Sequence, residues 1–314
     1  EADDIQIQLH DRDTIWMEKW LNEAIDAASA AKLKMDSVIV RENWRGDGKD
    51  AVLPCGECEL DTVDYSAPPA VLTIKGTSLP FSAQIRQTKK NKAWENTTLS
   101  AIANELAGEN GMSCMYESAN DPFYKRVEQI DASDIDFLSR LCHDAGISLK
   151  ATNSIIVLFD QATYEAKGAV ITVRRGDGSY TKCKLTVGAP DAQYSSCRVS
   201  YVDPSTGKCI EATAKIEDYN ADAKNNQQLE VKAKVSSKDE AKALAEKHLR
   251  LHNKYTKSAT FTMPGNPALV AGVTVMLEGW GGWNGKYIIT QAKHTVSDSG
   301  YTTQIKLRRV LEGY

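Results

Sequence analysis

The chain has 314 residues, of which 42% are hydrophobic and 25% charged, with a net charge of -4. These are ordinary globular proportions and exclude collagen-like, coiled-coil and disordered classes. The length suggests about two domains, and no apolar run approaches the roughly 20 residues of a membrane-spanning helix.

Residues 5–9 alternate apolar and polar with period two, the pattern of a half-buried strand. Residues 38–40, 58–63 and 70–75 read the same way, with Pro68-Pro69 marking a loop. Short strands broken by Gly, Asp and Pro predict an antiparallel sheet or barrel. The Ala-rich stretch 16–34 reads as a helix or a long connection. Within 97–107, Leu99, Ile102, Ala103 and Leu106 stand at i, i+3, i+4 and i+7, which predicts a helix with one apolar face, stopped by Gly108 and Gly111. A second helix starts at the N-cap Ser133, with Asp134 and Asp136 at its positive end. It buries Ile135, Leu138, Leu141, Cys142 and Ala145 and stops at Gly146. Residues 147–150 and 154–159 form a hairpin turning at Thr152-Asn153. In the last third, 197–202 and 209–216 flank a turn at 203–207. Ser237 to Glu240 is a capping box that opens a helix carrying Ala241, Leu244, Ala245 and His248. Strands at 273–277, 287–292 and 301–310 follow, with hairpin turns at Asn284-Gly285 and 298–300, as in a closing meander.

The chain starts at Glu1 in mid-pattern, so a leading strand is expected to be missing. Seven cysteines, an odd number, with no export leader in view, suggest reduced thiols and cytosolic synthesis. Residues 1–65 carry 16 acidic and 7 basic side chains, and residues 66–314 carry 26 and 31. Such asymmetry suits a solvated surface or a protein stacked between unlike neighbours. No single basic face stands out, so sequence-specific nucleic-acid binding is not expected.

Each local motif has a plain reading beside a chemical one. Cys55-Gly56-Glu57-Cys58 has metal or redox spacing, yet no second ligand pair lies nearby and the flanks look extended, so small strand residues suffice. His248 and His252 share a helix face, but Leu249 stands where a metalloprotease needs Glu. Cys142 and His143 are sequence neighbours about 100° apart on a helix and make no nucleophile pair. His10 and His294 stand alone. Glu57, Glu59 and Asp61 alternate and should share one strand face, whereas a glycosidase pair faces itself across a cleft. Gly281 to Gly285 joins strands and does not open a helix as a phosphate cradle does. Trp280 and Trp283 flank a loop and could be exposed for carbohydrate stacking, while Trp16, Trp20 and Trp94 should pack. Lys89, Lys90 and Lys92, with Arg86, form a tight basic cluster read as an exposed linker.

The order of these pieces is more specific than any one of them. Ala2-Asp3-Asp4 with 5–9, Asp11-Arg12-Asp13 and Trp16 resemble the opening of the phage late control gene D family, tail and baseplate hub proteins of contractile tails. The resemblance continues through Leu53 to Asp61, Lys92 to Glu95 and 99–103. It is strongest at Ser133-Asp134 and Asp136 to Cys142 with Gly146. It returns at Asn266 to Leu269, Gly272, Asn284 to Tyr287, His294, Gly300 to Thr303 and Arg308-Arg309.

The resemblance implies an α+β, mainly β fold: two antiparallel β-barrel tube domains (1–88 and 166–314, the latter with a helix near 237–253) around an inserted α+β domain (89–165). It implies a structural, non-enzymatic hub similar to the trimeric hub of myophage baseplates and the VgrG base of type VI spikes. Its expected partners are two more copies of itself, the tail tube protein, the central spike and other baseplate proteins. Its expected place is the virion baseplate, assembled in the host cytoplasm. No catalytic, cofactor or metal residues are expected. The sequence departs from the family pattern in its Ala-rich 21–34 segment and at Cys58. A cell-wall-active baseplate protein, with a carboxylate pair or aromatic groove in the α+β insert, is the alternative.

Overall fold

Alternation at period two places Ile5, Ile7 and Leu9 on one side of strand β1 (Asp4–His10). The computed structural model describes residues 3–20, 34–43, 48–78, 84–151, 154–188, 193–202, 207–216, 219, 226–235 and 237–311. The chain divides into two units: Glu1–Val40 with Val52–Asp160, and Arg41–Ala51 with Gln161–Tyr314.

In the first unit, β2 (Lys34–Arg41), β3 (Ala51–Ser66) and β4 (Val71–Thr77) join β1 in a sheet of order β1-β4-β3-β2. Ile7 stands opposite Ile74 and Leu9 opposite Leu72 in an antiparallel register. The strands expected at 5–9, 38–40 and 58–63 lie within longer ones, and the strand expected at 70–75 runs from Val71 to Thr77. The alternation fails in β3, where Gly56 has φ of +78° and the register slips between Leu60 and Thr62. A bulge of one residue turns the following side chains over. Asp61 is the extra residue and is exposed, as is Glu57, while Cys58 and Glu59, ahead of the bulge, are both buried. This corrects the expectation that Glu57, Glu59 and Asp61 share a face. Asp11 is buried and accepts hydrogen bonds from the Trp16 and Met17 amides at 3.2 and 3.1 Å, holding one π-type turn at Trp16–Trp20. Most of the expected Ala-rich helix, residues 21–33, lies outside the described residues.

The rest of this unit packs two helices on two small sheets. β5 (Lys89–Thr98) pairs antiparallel with β7 (Phe123–Ser133). β6 (Ser113–Glu117) pairs parallel with β9 (Ile155–Phe159), which pairs antiparallel with β8 (Ser148–Ala151). Helix α1 (Leu99–Glu109) buries Leu99, Ile102, Ala103 and Leu106, the face its spacing predicts, and Thr98 caps it. Gly108 does not stop it. The helix runs on to Glu109 and ends where Asn110 caps and Gly111 takes φ of +69°. Helix α2 (Asp134–Asp144) starts at Ser133, whose hydroxyl accepts from the Asp136 amide, and ends before Gly146 at φ of +68°. Its buried face includes Phe137, stacked on Trp94 at 6.3 Å. These two helices and β5 to β9 share one continuous core.

The second unit holds two cores. α3 (Gln161–Ala166) leads into β10 (Ala169–Arg174) and β11 (Lys182–Val187). Then comes a nested piece: β12 (Ser196–Val202), β13 (Cys209–Lys215) and β14 (Gln228–Lys232) form a sheet of order β13-β12-β14. Helix α4 (Lys238–Asn253) packs on it through Ala241, Ala245 and Leu249. β15 (Lys257–Pro264), β16 (Thr274–Glu278), β17 (Gly285–Ser297) and β18 (Gly300–Arg309) complete a six-stranded sheet of order β10-β16-β17-β18-β15-β11. One of its faces is apolar, with Val173, Phe261, Leu277, Tyr287 and Ile305 fully buried. Two pairings depart from an all-antiparallel meander, since β10–β16 and β12–β14 are parallel. Asn284-Gly285 is not a two-residue turn either: a 3-10 turn at Gly281–Trp283 lengthens the loop, and the Asn284 side chain accepts from the Trp280 amide at 2.6 Å. The two-residue hairpin lies instead between Ser297 and Gly300, at the expected 298–300 turn.

Candidate assembly site

The residues singled out for chemistry are taken up by the fold. All seven cysteines are free. Cys58 is 2% exposed and Cys55 half-buried, and burial, with Asp3 and Asp4 nearby, pushes the Cys58 thiol up. Among the described residues no three His, Cys, Asp or Glu side chains converge on a metal geometry. His248 is buried within α4, while His252 is exposed with its ring edge-on to Tyr194, so the two do not share an open site. Cys142 is buried and its thiol pushed to about 12 by desolvation, while His143 is exposed. Trp280 is buried, not displayed: it packs against Tyr180 and Phe261 at 5.4 Å and donates from Nε1 to the Val173 carbonyl at 3.0 Å.

The basic cluster is not a linker, because Lys89, Lys90 and Lys92 begin β5. Lys90 Nζ reaches Asp134 at 2.7 Å and Glu109 at 2.8 Å; Lys92 reaches Glu105 at 2.7 Å and Glu109 at 3.0 Å. Asp134 is 1% exposed and also accepts from Gln129 and Asn110. The hydrogen bonds from Lys90 and then Lys92 hold the Glu109 carboxyl below its usual range. The lattice ties β5, α1 and α2 together. It engages three of the region's carboxylates, Glu105, Glu109 and Asp134.

Two clusters in the second unit had no local sequence signal. Glu165 on α3, 2% exposed, receives Arg308 of β18 at 2.5 Å and also Arg250 of α4. Arg308 further donates to Gln161 at 2.9 Å, and Arg250 to the Leu311 carbonyl at 3.2 Å. One carboxylate thus joins the six-stranded sheet to the helix of the nested sheet. The second cluster gathers residues that carried the family resemblance. His294 Nε2 donates to the Leu269 carbonyl at 3.0 Å; since a carbonyl only accepts, Nδ1 is the acceptor for the Tyr301 hydroxyl at 2.7 Å. Thr303 accepts from the Asn266 amide at 2.9 Å. A Cβ on Gly265 would fall 2.0 Å from the Tyr301 ring, so only glycine admits that ring. Asn266, Leu269, His294, Tyr301 and Thr303, apart in sequence, fix one loop against one hairpin.

The surfaces left for partners are sheet edges and half-covered apolar rows. Among the described residues the four-stranded sheet ends in β1 and β2 and the six-stranded sheet in β10 and β11, and a sheet edge presents backbone groups for pairing. On the first of these sheets Ile7, Leu9, Trp16, Met35, Leu60 and Ile74 line a cleft of about 340 Å³. Val187 on β11 and Val170 on β10 are exposed.

The profile of the phage tail baseplate hub (GPD) family matches residues 79–300. The chain belongs to that family. The match spans the α+β body and most of the second unit, including the Ser133 helix start, Glu165, Arg250 and His294, while Tyr301, Thr303 and Arg308 lie beyond it. The "probable baseplate hub protein" of Escherichia phage 186 is 26% identical to this hub-family chain over 141 residues, 43% of the chain and 36% of that protein. The alignment thus spans about a third of the curated relative's length. Among solved structures, the tail protein from Neisseria meningitidis MC58 superposes with TM-score 0.65 at 12% identity, covering 98% of this chain and 92% of that one. A type VI secretion component of E. coli, with structural similarity to T4 tail proteins gp27 and gp5, superposes with TM-score 0.54 at 13% identity, covering 99% and 71%. At such identities these structures share the fold. The family is one of structural hub proteins and not of enzymes. No helix among the described residues is long and apolar enough to cross a membrane.

Proposed function

We propose that the chain is a structural hub that closes as a homotrimeric ring between the tail tube and the central spike of a contractile particle. The observation that carries this reading is the repeated architecture. Among the described residues two β-rich regions each end in edge strands, and an α+β body with its own core lies between them in the sequence. Each β region then acts as one tube domain, so three chains present six domains to a sixfold tube and three copies to a threefold spike. In this reading 1–88 and 166–314 are the tube domains and 89–165 is the body between them in sequence, with α3 at the last boundary. A ring of identical chains closes through unlike faces of each neighbour, and edges left unpaired within a chain suit such heterologous pairing. The pairing of Glu105, Glu109 and Asp134 with lysines supports a structural role for the insert over a cell-wall-hydrolysing one.

Gold labelling of an epitope tag on this chain in particles from its host tests the reading. Label at the junction of tube and baseplate, with a solution mass of about 104 kDa, three times the 34.5 kDa chain, is the expected result. Label along the sheath, or on no particle, would overturn it.

A further inference from the structure

Four strands of the six-stranded sheet, β11, β15, β17 and β18, contain eight Lys or Arg and no Asp or Glu. That is a biased sample, because the whole chain has 42 acidic residues and 38 basic ones. The pairing concentrates the bias on the face opposite the apolar core. Lys182 stands beside Thr262, Thr262 beside Gln304, and Gln304 beside Lys293. In the next row Lys184 stands beside Thr260, Thr260 beside Lys306, and Lys306 beside Gln291. All four lysines and both glutamines are exposed, and none of the lysines forms an ion pair with a described residue. On the other half of the sheet the charge is balanced, Arg174 meeting Glu278 at 2.8 Å.

We infer that this face is a sequence-independent contact surface for the phosphate backbone of duplex DNA. Strands lie about 4.8 Å apart, so Lys184 and Lys306 stand about 10 Å apart and Lys182 and Lys293 about 14 Å apart. Duplex DNA carries one negative charge per about 1.7 Å of its axis, so a duplex lying across the face meets all four cations at once. Threonine and glutamine between them offer further donors. A permanent protein interface would be built differently, with a core depleted in lysine and enriched in aromatic residues; these two rows hold four lysines and no aromatic. Lysine, a flexible point charge, suits phosphates passing in any register better than a bidentate arginine fork does. The inference rests on the hub reading only for which DNA is met, the DNA carried by the tail; binding itself is independent of it.

Fluorescence anisotropy of the purified chain with a 30-base-pair duplex of arbitrary sequence tests the inference. Four phosphate contacts predict binding that weakens by about 100-fold between 50 and 200 mM salt. The variant K182Q/K184Q/K293Q/K306Q should lose at least about 10-fold in affinity at 50 mM and flatten that slope. K232Q/K234Q/K238Q/K242Q removes the same charge around β14 and α4 and should stay within about 2-fold of the parent. Unchanged melting midpoints verify that both variants are folded. Equal losses in the two variants, or no salt-dependent binding by the parent, would overturn the inference. So would displacement of the duplex by polyglutamate at equal charge concentration, which would assign the face to an acidic protein. None of these results bears on where labelled chains sit in a particle, so the two readings fail separately.

Discussion

Replacing Glu165 by glutamine tests how the second unit is held together. The substitution keeps size and one acceptor but removes the charge that faces Arg308 and Arg250. Arg308 is 3% exposed and would keep a guanidinium in the interior with no counter-charge. Removing one partner of a buried pair costs about 3–5 kcal/mol. The Arg250 side chain is 22% exposed and regains water, so the expected loss is near the lower end, about 3 kcal/mol. For a unit of this size each kcal/mol shifts the midpoint by about 2–4 °C, or about 6–12 °C in all. Calorimetry and urea unfolding of both proteins read this directly. The apolar pair E165L/R308M provides the control, because removing both charges avoids the stranded guanidinium and should recover most of the loss. A loss below about 1 kcal/mol in E165Q, or an apolar pair less stable than E165Q, would refute the claim that the carboxylate neutralises a buried cation.

Two further outcomes follow from burial. Desolvation holds the His294 imidazole below its usual range, although its bond to the Leu269 carbonyl opposes the shift. The unfolded chain therefore takes up the proton first, and stability is complete above the unfolded value of about 6.5 and declines as pH falls below it. The melting midpoint should drop between pH 7.5 and 5.5, and less steeply in H294Q; equal slopes would count against this assignment. Thiol labelling of the native protein should modify exposed Cys183 and Cys209 first. Buried Cys58, Cys142 and Cys197 should react only after denaturation, since the thiolate is the reactive form and burial pushes Cys142 to about 12 and Cys197 to about 11. Peptide mapping that finds Cys142 or Cys197 in the fast phase would show that the cores open.

Helices α1 and α2 were legible because their signals are local. Leu99, Ile102 and Leu106 declare a face within two turns, and Ser133, Asp136 and Gly146 mark both ends of α2. The β3 bulge was hidden because a positive φ at Gly56 and an extra residue at Asp61 leave the apparent alternation intact while turning side chains over. Lys89 to Lys92 read as a linker because their partners Glu105, Glu109 and Asp134 lie on helices still to come. Glu165 and Arg308 are 143 residues apart, and no periodicity links them. Trp280 looked exposed from its glycine-rich flank, yet its indole fills the space between Tyr180 and Phe261. The lysine face was invisible for the same reason as the Glu165 lock: its rows draw on strands from residue 182 to residue 306.

The nesting of the three-stranded sheet and α4 between β11 and β15 also sets a timetable. β10 has its partner in β16, and Ala169 pairs with Thr274, 105 residues further along the chain. At about 5–20 residues per second of synthesis, β10 leaves the ribosome about 5–20 s before the strand that completes it. The nested sheet and its helix form a core of their own from residues synthesised in between. Until β15 and β16 are made, β11 and β10 lack their partners and remain adhesive strands that crowded nascent chains must keep apart, and the hairpin of β17 and β18 then joins the two pairs into one sheet.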